Sequence, residues 1–294
     1  MVDSRSCEHE CSREEMDRDE LTAYAIRAAI RASEVIMDVY KSGEDLGIET
    51  KPDNTPVTRA DMASNEAISE MLAETGLPIL SEESAHERYS IRREQHKMWV
   101  VDPLDGTKEF IKRNDMFSVC IALVEEHRAT TGVIAIPATS TIYYTRGGRA
   151  YRSEYSKEGE LRQETQLPVR YGPTPHMVVS SVSHPTQISQ DVAKRVEGLW
   201  PDVALLGVGS SIKQCMIAEG TAALYPRIGT TMEWDTAAGQ AIIEAAGGRL
   251  LDMTTRQPMT YNRAELKNPP FLAIAEGVEE EAAECAMKAF EATW

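Results

Sequence analysis

The sequence predicts an α/β protein whose N-terminal half is α+β. Three observations carry that reading. After about residue 176, short apolar strands alternate with helices, the order of an α/β layer structure. Residues 117–152 instead hold four apolar strands in a row, separated by turn residues such as Gly147-Gly148, which reads as an antiparallel meander. Two helical periodicities precede those strands.

The elements follow in order. Residues 1–18 are polar and acid-rich and read as a disordered leader. From Asp19, the residues Leu21, Tyr24, Ala25, Ala28, Ala32, Val35, Ile36 and Val39 recur at helical spacing, and Gly43 stops the run. A loop, "KSGEDLGIETKPDNTPVTRAD", leads to Asp61, read as opening a second helix with Ala67, Ile68, Met71 and Leu72 on one face. "PILSEES" and "MWVVDPLDGT" are strands that run into acids. The meander comes next, and the polar residues 153–175 read as a boundary or surface loop. Thereafter come "HMVVSS", a helix to about Leu199, "VALLG", a helix in "SSIKQCMIAEG", "AALYP", a helix in "DTAAGQAIIEAAGG", "RLLD", "FLAIAE" and a closing helix. The implied division is a leader (1–18), an α+β metal-binding half (19–165) and an α/β substrate-binding half (166–294).

Composition narrows the function. The 294 residues are 42% hydrophobic and 27% charged, enough for a sizeable core. With 31 basic and 47 acidic residues the net charge is −16, which repels nucleic-acid polymers and anionic lipid. A small anionic ligand then needs a local cation cluster or metal ions. No stretch approaches the ~18 consecutive apolar residues of a membrane span, and the N-terminus lacks the apolar core of a signal peptide. The expected location is cytoplasmic, with peripheral attachment at an inner membrane and weak self-association left open. The five cysteines are odd in number and show no paired spacing, against a disulfide framework. Cys7, His9 and Cys11 form C-x-H-x-C, which is read as part of the tail rather than a metal knuckle because no second ligand pair accompanies it. Cys120 and Cys215 sit in apolar runs and read as core.

Four acidic features carry the chemistry: Asp61 in "TPVTRAD", Glu82 in "LSEES", the pair Asp102 and Asp105 in "DPLDGT", and Asp235 in "TMEWDTAAG". Each alone is ordinary. Asp is a favoured helix cap, and "DPLDG" is good turn chemistry. Together they end apolar strands or open an apolar helix, so they converge near a core. Buried carboxylates repel unless a cation neutralises them. Hard oxygen ligands of this kind suit Mg²⁺. Pro103 is expected to bend the chain off its strand, so that Asp105 returns beside Asp102 and the carbonyl of Leu104 turns inward. Gly106, Thr107 and Lys108 then offer successive N–H groups to a phosphate. An aspartyl phosphatase of the haloacid-dehalogenase type needs D-x-D-G-T, with one residue between the acids, whereas here there are two. Phosphate-loop, H-E-x-x-H and G-x-S-x-G patterns are absent.

With its acidic pair, D-P-L-D-G-T and distant W-D, the chain from residue 20 on resembles the magnesium-dependent, lithium-sensitive phosphatase superfamily of inositol monophosphatase, fructose bisphosphatase and the bisphosphate nucleotidases. Within it, "DPLDGTKEFI" and "GSSIKQCMIAEGTAALYPRIGTTMEWDTAAGQAIIEAAGG" are similar to the CysQ-type 3′(2′),5′-bisphosphate nucleotidases. The resemblance implies a layered αβαβα sandwich. It implies that Glu82, Asp102 and the Leu104 carbonyl hold one Mg²⁺, and that Asp102, Asp105 and Asp235 hold a second. Asp61 stands opposite Thr107, near a third and weaker ion. Gly106 and Thr107 bind the phosphate, and a metal-activated water, helped by Thr107 with Asp61 or Glu82, attacks with no covalent intermediate.

Substrate is read from the second half. Inositol monophosphatases commonly place an acid where this chain has Arg227. A guanidinium suits a second phosphate better than a neutral polyol. The expectation is therefore adenosine 3′,5′-bisphosphate, converted to AMP and phosphate. Arg227 and Lys213 would contact the second phosphate, and Gly209, Ser210 and Ser211 would meet the nucleoside. An inositol- or sugar-phosphate phosphatase is the alternative, and a non-catalytic metal- or anion-binding regulator the more distant one.

Overall fold

The computed structural model describes residues 16–52, 54–169, 176–182 and 187–292. The first helix, α1 (Arg18–Ser42), starts one residue earlier than its periodicity suggests, because Asp17 and Glu20 form a capping box. It ends at Gly43, whose φ of 73° is left-handed. Two short strands, β1 (Glu49–Thr50) and β2 (Pro56–Val57), form a hairpin where a loop was expected. Then follow α2 (Arg59–Ala73), β3 (Ile79–Ser81), α3 (Tyr89–Arg92), β4 (Lys97–Asp105) and α4 (Thr107–Lys112). The meander is β5 (Ser118–Glu125), β6 (Arg128–Ile136), β7 (Thr141–Arg146), β8 (Arg149–Tyr155) and β9 (Leu161–Gln166). The second half runs β10 (Met177–Ser181), α5 (Gln187–Val196), β11 (Ala204–Val208), α6 (Ile212–Glu219), β12 (Leu224–Arg227), α7 (Glu233–Ala245), β13 (Arg249–Asp252), β14 (Phe271–Ile274) and α8 (Glu280–Glu291).

Strands β3 to β9 form one seven-stranded sheet in sequence order, antiparallel except for β3 beside β4. Strand β9 lies in the polar stretch expected to be a loop. It is an edge strand with all but its first residue exposed, so it carries no apolar alternation to read. The second sheet has the order β11-β10-β12-β14-β13.

Layering follows from which faces are apolar. On β4, Trp99 and Val101 point into a core with Leu21, Ala25, Ile36, Ile68 and Leu72 of α1 and α2. Met98 and Val100 point the other way, into a core with Ala237, Ala238 and Ala241 of α7 and Cys215 of α6. Both faces are covered, which is why this strand reads as a continuous apolar run. Beyond the second sheet, α5 and α8 close a third core around Val192, Leu224, Leu272 and Ala286. The result is the expected five-layer αβαβα sandwich, and α7 from the second half covers the sheet of the first. Gly132 makes that contact close, since a Cβ there would stand 2.2 Å from the Ala238 carbonyl oxygen. Cys120 and Cys215 are buried and free, as expected of core residues. The C-x-H-x-C of the leader lies outside the described residues. Among the described residues, no helix is long and apolar enough to cross a membrane.

Candidate active site

The segment Asp102–Asp105 does not leave its strand, as proline was expected to make it do. Asp102 pairs with Cys120 and Asp105 with Ser118, so three steps on β4 span two on β5. This is a β-bulge, and proline, lacking an N–H, is tolerated there. The extra residue has a chemical consequence. Cys120 and Ser118 share a face, so Asp102 and Asp105 do too, although residues i and i+3 of a regular strand would not. The Asp102 side chain accepts the Leu104 N–H at 3.0 Å, which holds the bulge shut. Ser64 of α2 donates to the Pro103 carbonyl at 2.7 Å and docks the helix on it.

Beyond Asp105, Gly106 takes φ 92°. Only glycine fits, because a Cβ would lie 2.9 Å from the Met116 carbonyl oxygen and 3.1 Å from the Ser210 Cβ. The turn delivers Thr107 to the start of α4, where its hydroxyl donates to Asp61 Oδ1 at 3.0 Å. The Leu104 carbonyl lies 3.3 Å from the same hydroxyl.

Asp61 and Asp235 are each the third residue of a helix, not its cap or first residue. In α2 the cap is Thr58, whose N–H and hydroxyl both donate to Asp61 Oδ2, at 2.8 and 2.6 Å. The T-x-x-D spacing is a legible capping-box signal that the reading of Asp61 as a cap passed over. In α7 the N–H of Met232 donates to Asp235 Oδ2 at 2.8 Å, and no cap residue in the sequence announces it.

Glu82, from the end of β3, joins Asp102 and Asp235. Each offers a carboxylate oxygen, and the three lie within 4.8 Å of one another. Burial and the repulsion of Glu82, Asp105 and Asp235 push the Asp102 carboxyl well above the usual carboxylate range. Asp235 is raised well above its ordinary value by burial, with Asp105 and Glu82 adding to it. Asp61 is raised by burial, against the pull of its hydrogen bonds from Thr58 and Thr107. A site that is costly to ionise when empty is one that a divalent cation stabilises. The donor set, all hard oxygen, fits Mg²⁺.

Asp105 lies outside that triple, and the second half of the chain holds it there. Its Oδ2 accepts from the Ser211 N–H at 2.5 Å, the Ser211 hydroxyl at 2.5 Å and the Ser210 hydroxyl at 2.8 Å. Ser210 in turn lies 2.5 Å from the Ser118 hydroxyl. Ser210 and Ser211, expected to meet a nucleoside, both line the cleft, and their hydroxyls donate to Asp105. Gly209 belongs to the same joint, because a Cβ would lie 2.7 Å from the Met116 Cβ and 2.9 Å from Glu109 Cγ. Gln214 donates to the Asp235 carbonyl at 2.7 Å.

Both expected cations line the same cleft, which has a volume of about 200 Å³ and also takes in Glu82, Asp102, Thr107 and Asp235. Lys213 is buried, not a solvated helix residue. Its ammonium donates to the carbonyls of Ser210 at 2.6 Å and Val208 at 3.1 Å. Burial pulls its pKa down to about 8. Arg227 reaches the Thr230 carbonyl at 3.5 Å. Its Nε is buried with no hydrogen-bond partner among the described residues.

The fold and this acid-lined cleft are those of a phosphatase scaffold, and comparison with known proteins agrees. Residues 17–293 match the model of the inositol monophosphatase family, and the chain belongs to that family. It is 39% identical over 78% of its length, and 92% of the relative's, to the 3′(2′),5′-bisphosphate nucleotidase CysQ of Salmonella typhimurium. The Escherichia coli K12 protein of the same name is 37% identical over 83% of this chain and 95% of its own. Among solved structures, CysQ from Bacteroides thetaiotaomicron superposes with a TM-score of 0.79 at 38% identity, covering 89% of this chain and 99% of that one. A Thermotoga maritima inositol monophosphatase shares the fold at a TM-score of 0.68 and 20% identity, covering 92% of this chain and 98% of that one.

Proposed function

We propose that the protein is a Mg²⁺-dependent 3′(2′),5′-bisphosphate nucleotidase that hydrolyses adenosine 3′,5′-bisphosphate to AMP and phosphate. The observation that carries this reading is the pairing of opposite charges in one cleft. Three carboxylates stand together in it. In the same cleft, the guanidinium of Arg227 keeps a buried donor unpaired among the described residues. An uncompensated donor of that kind suits an anionic group, so the substrate carries a phosphate besides the one cleaved. The CysQ relatives support the same substrate class.

Glu82, Asp102 and Asp235 would hold the first divalent ions, with Asp105 and the Leu104 carbonyl completing the set. Ions bound there would neutralise charge on the attacked phosphoryl group and the leaving oxygen. The rest belongs to the chain's own groups. The Thr107 hydroxyl gives its proton to Asp61 Oδ1, so the lone pairs of its oxygen are left to accept from a water. Asp61, its carboxyl raised by burial, then takes the proton that this water releases through Thr107. Gly106 and Thr107 bring backbone N–H groups at the start of α4 to the phosphate. Lys213 holds the 208–211 backbone in place and keeps positive charge near the second phosphate.

Phosphate release tests this reading with adenosine 3′,5′-bisphosphate, inositol phosphate and fructose bisphosphate compared by kcat/KM, with and without EDTA. The bisphosphate nucleotide should lead, EDTA should abolish turnover, and Li⁺ should inhibit. Arg227→Glu should depress turnover of the bisphosphate far more than that of a simple monoester. Equal losses on both would remove the second-phosphate assignment. A lead for inositol phosphate would move the protein to the polyol phosphatases, and metal-independent silence on every substrate would make it a binding protein. An enzyme of this activity would clear a by-product of sulfate assimilation.

A further inference from the structure

The hairpin β1–β2 reaches into the acidic cluster with a side chain that the chemistry above does not use. Lys51 follows β1 directly. Its backbone N–H is tied across the turn to the Thr55 carbonyl at 2.8 Å. The ammonium lies 2.7 Å from Glu82 Oε1 and 2.5 Å from Glu83 Oε1. The Lys51 side chain is only 18% exposed. Thr55 and Pro56, from the same hairpin, line the cleft beside Thr107 and Asp105. A carboxylate of the candidate metal triple is therefore already paired with a cation that belongs to the chain.

We infer that Lys51 is the resident counter-charge of the metal-free cluster, and that a divalent ion binding at Glu82 displaces it and loosens the hairpin. The inference rests on the metal-site reading of Glu82, Asp102 and Asp235. An ammonium within hydrogen-bond distance of a carboxylate and a divalent ion on that same carboxylate are like charges at close range, and they repel. Without the ion, Lys51 relieves part of the repulsion among the acids. With it, Lys51 retires to Glu83, which is not one of the three. Metal binding thus breaks one charge-assisted hydrogen bond, and the ion's affinity is set partly by that exchange. Thr55 and Pro56 of the same hairpin line the cleft, so a shift of the hairpin on metal loading would alter access of substrate.

The test is calorimetric titration of Mg²⁺ into EDTA-treated, dialysed protein, with Lys51→Met, close in length but uncharged, and Lys51→Arg. Lys51→Met should bind Mg²⁺ about three- to tenfold more tightly than wild type. Its metal-free form should melt lower, while the Mg²⁺-saturated forms melt together. Lys51→Arg should keep wild-type affinity. Unchanged or weaker binding in Lys51→Met, with a wild-type isotherm present, overturns this inference alone. It would make Lys51 a support of the loaded site. Absence of Mg²⁺ binding in wild type overturns the metal-site reading and this inference with it. Should Lys51→Met not fold, hydrogen exchange of the wild-type hairpin decides. Mg²⁺ should speed exchange in residues 49–57, and unchanged or slowed exchange there overturns the displacement.

Discussion

Asp61 and Asp235 sit at matching places on two different helices. Each is the third residue, and each gives one carboxylate oxygen to the backbone N–H of the residue before its helix, at 2.8 Å in both cases. Local structure treats them alike. What differs is the element opposite. The free oxygen of Asp61 meets the Thr107 hydroxyl at 3.0 Å, whereas Asp235 supplies one of the three oxygens that lie within 4.8 Å of one another with Glu82 and Asp102. In the proposed reaction one helix start presents a carboxylate for moving a proton, the other a carboxylate for holding a cation. A helix N-terminus stabilises either one, and tertiary placement alone divides the labour.

That division predicts how the two residues fail. Asp235→Asn keeps an acceptor for Met232 but removes one charge of the triple. Activity should fall on the order of 10³-fold or more, and calorimetry should find Mg²⁺ binding weakened in parallel. Asp61→Asn should behave differently. Oδ2 accepts two donors from Thr58 and Oδ1 accepts Thr107, yet an amide has one oxygen only. Thr107 should lose its orientation and kcat should drop about 10²- to 10³-fold, with Mg²⁺ affinity within about threefold of wild type. If both variants lose metal equally, the two aspartates do the same job and the comparison collapses.

Smaller effects sharpen it. Thr58→Ala removes the hydroxyl that positions Asp61 without touching the triple. It should cost about tenfold in kcat, leave metal binding alone, and lower Tm modestly through the lost cap. The smallest effect is one of stability and has a definite sign. The folded-state carboxyls of Asp102 and Asp235 are raised above their unfolded value of about 4. Such groups favour the folded state below that value, and the contribution is lost as pH rises through their folded pKa. In EDTA, Asp102→Asn should therefore melt above wild type, by roughly 2–4 °C per kcal/mol of repulsion removed. The gap should widen from pH 4 upward, and Mg²⁺ should close it by stabilising wild type alone. A gap that ignores pH would mean that the acids do not repel in the metal-free protein.

Most of the architecture was legible because it rests on short-range patterns. Helical spacing placed α1, the apolar run "MWVV" placed β4, and the consecutive strands of residues 117–152 ordered the meander. Strand β9 was not legible, since an exposed edge has no apolar face to alternate. Within the site, residue types identified the acids, but their partners were hidden. Thr58 could have been found from its spacing to Asp61. Ser211 as holder of Asp105 and Lys51 as partner of Glu82 could not, because 106 and 31 residues separate them along the chain.

The sequence by itself determined which groups are available and where each local element begins, because caps, turns and apolar periods act over a few residues. Only the tertiary structure decided which oxygens meet. The bulge at Pro103 turned two acids to one face, and the packing of α7 against the first sheet carried Asp235 to them. Such contacts depend on how layers stack, and stacking energy is summed over dozens of buried side chains rather than written at any one position.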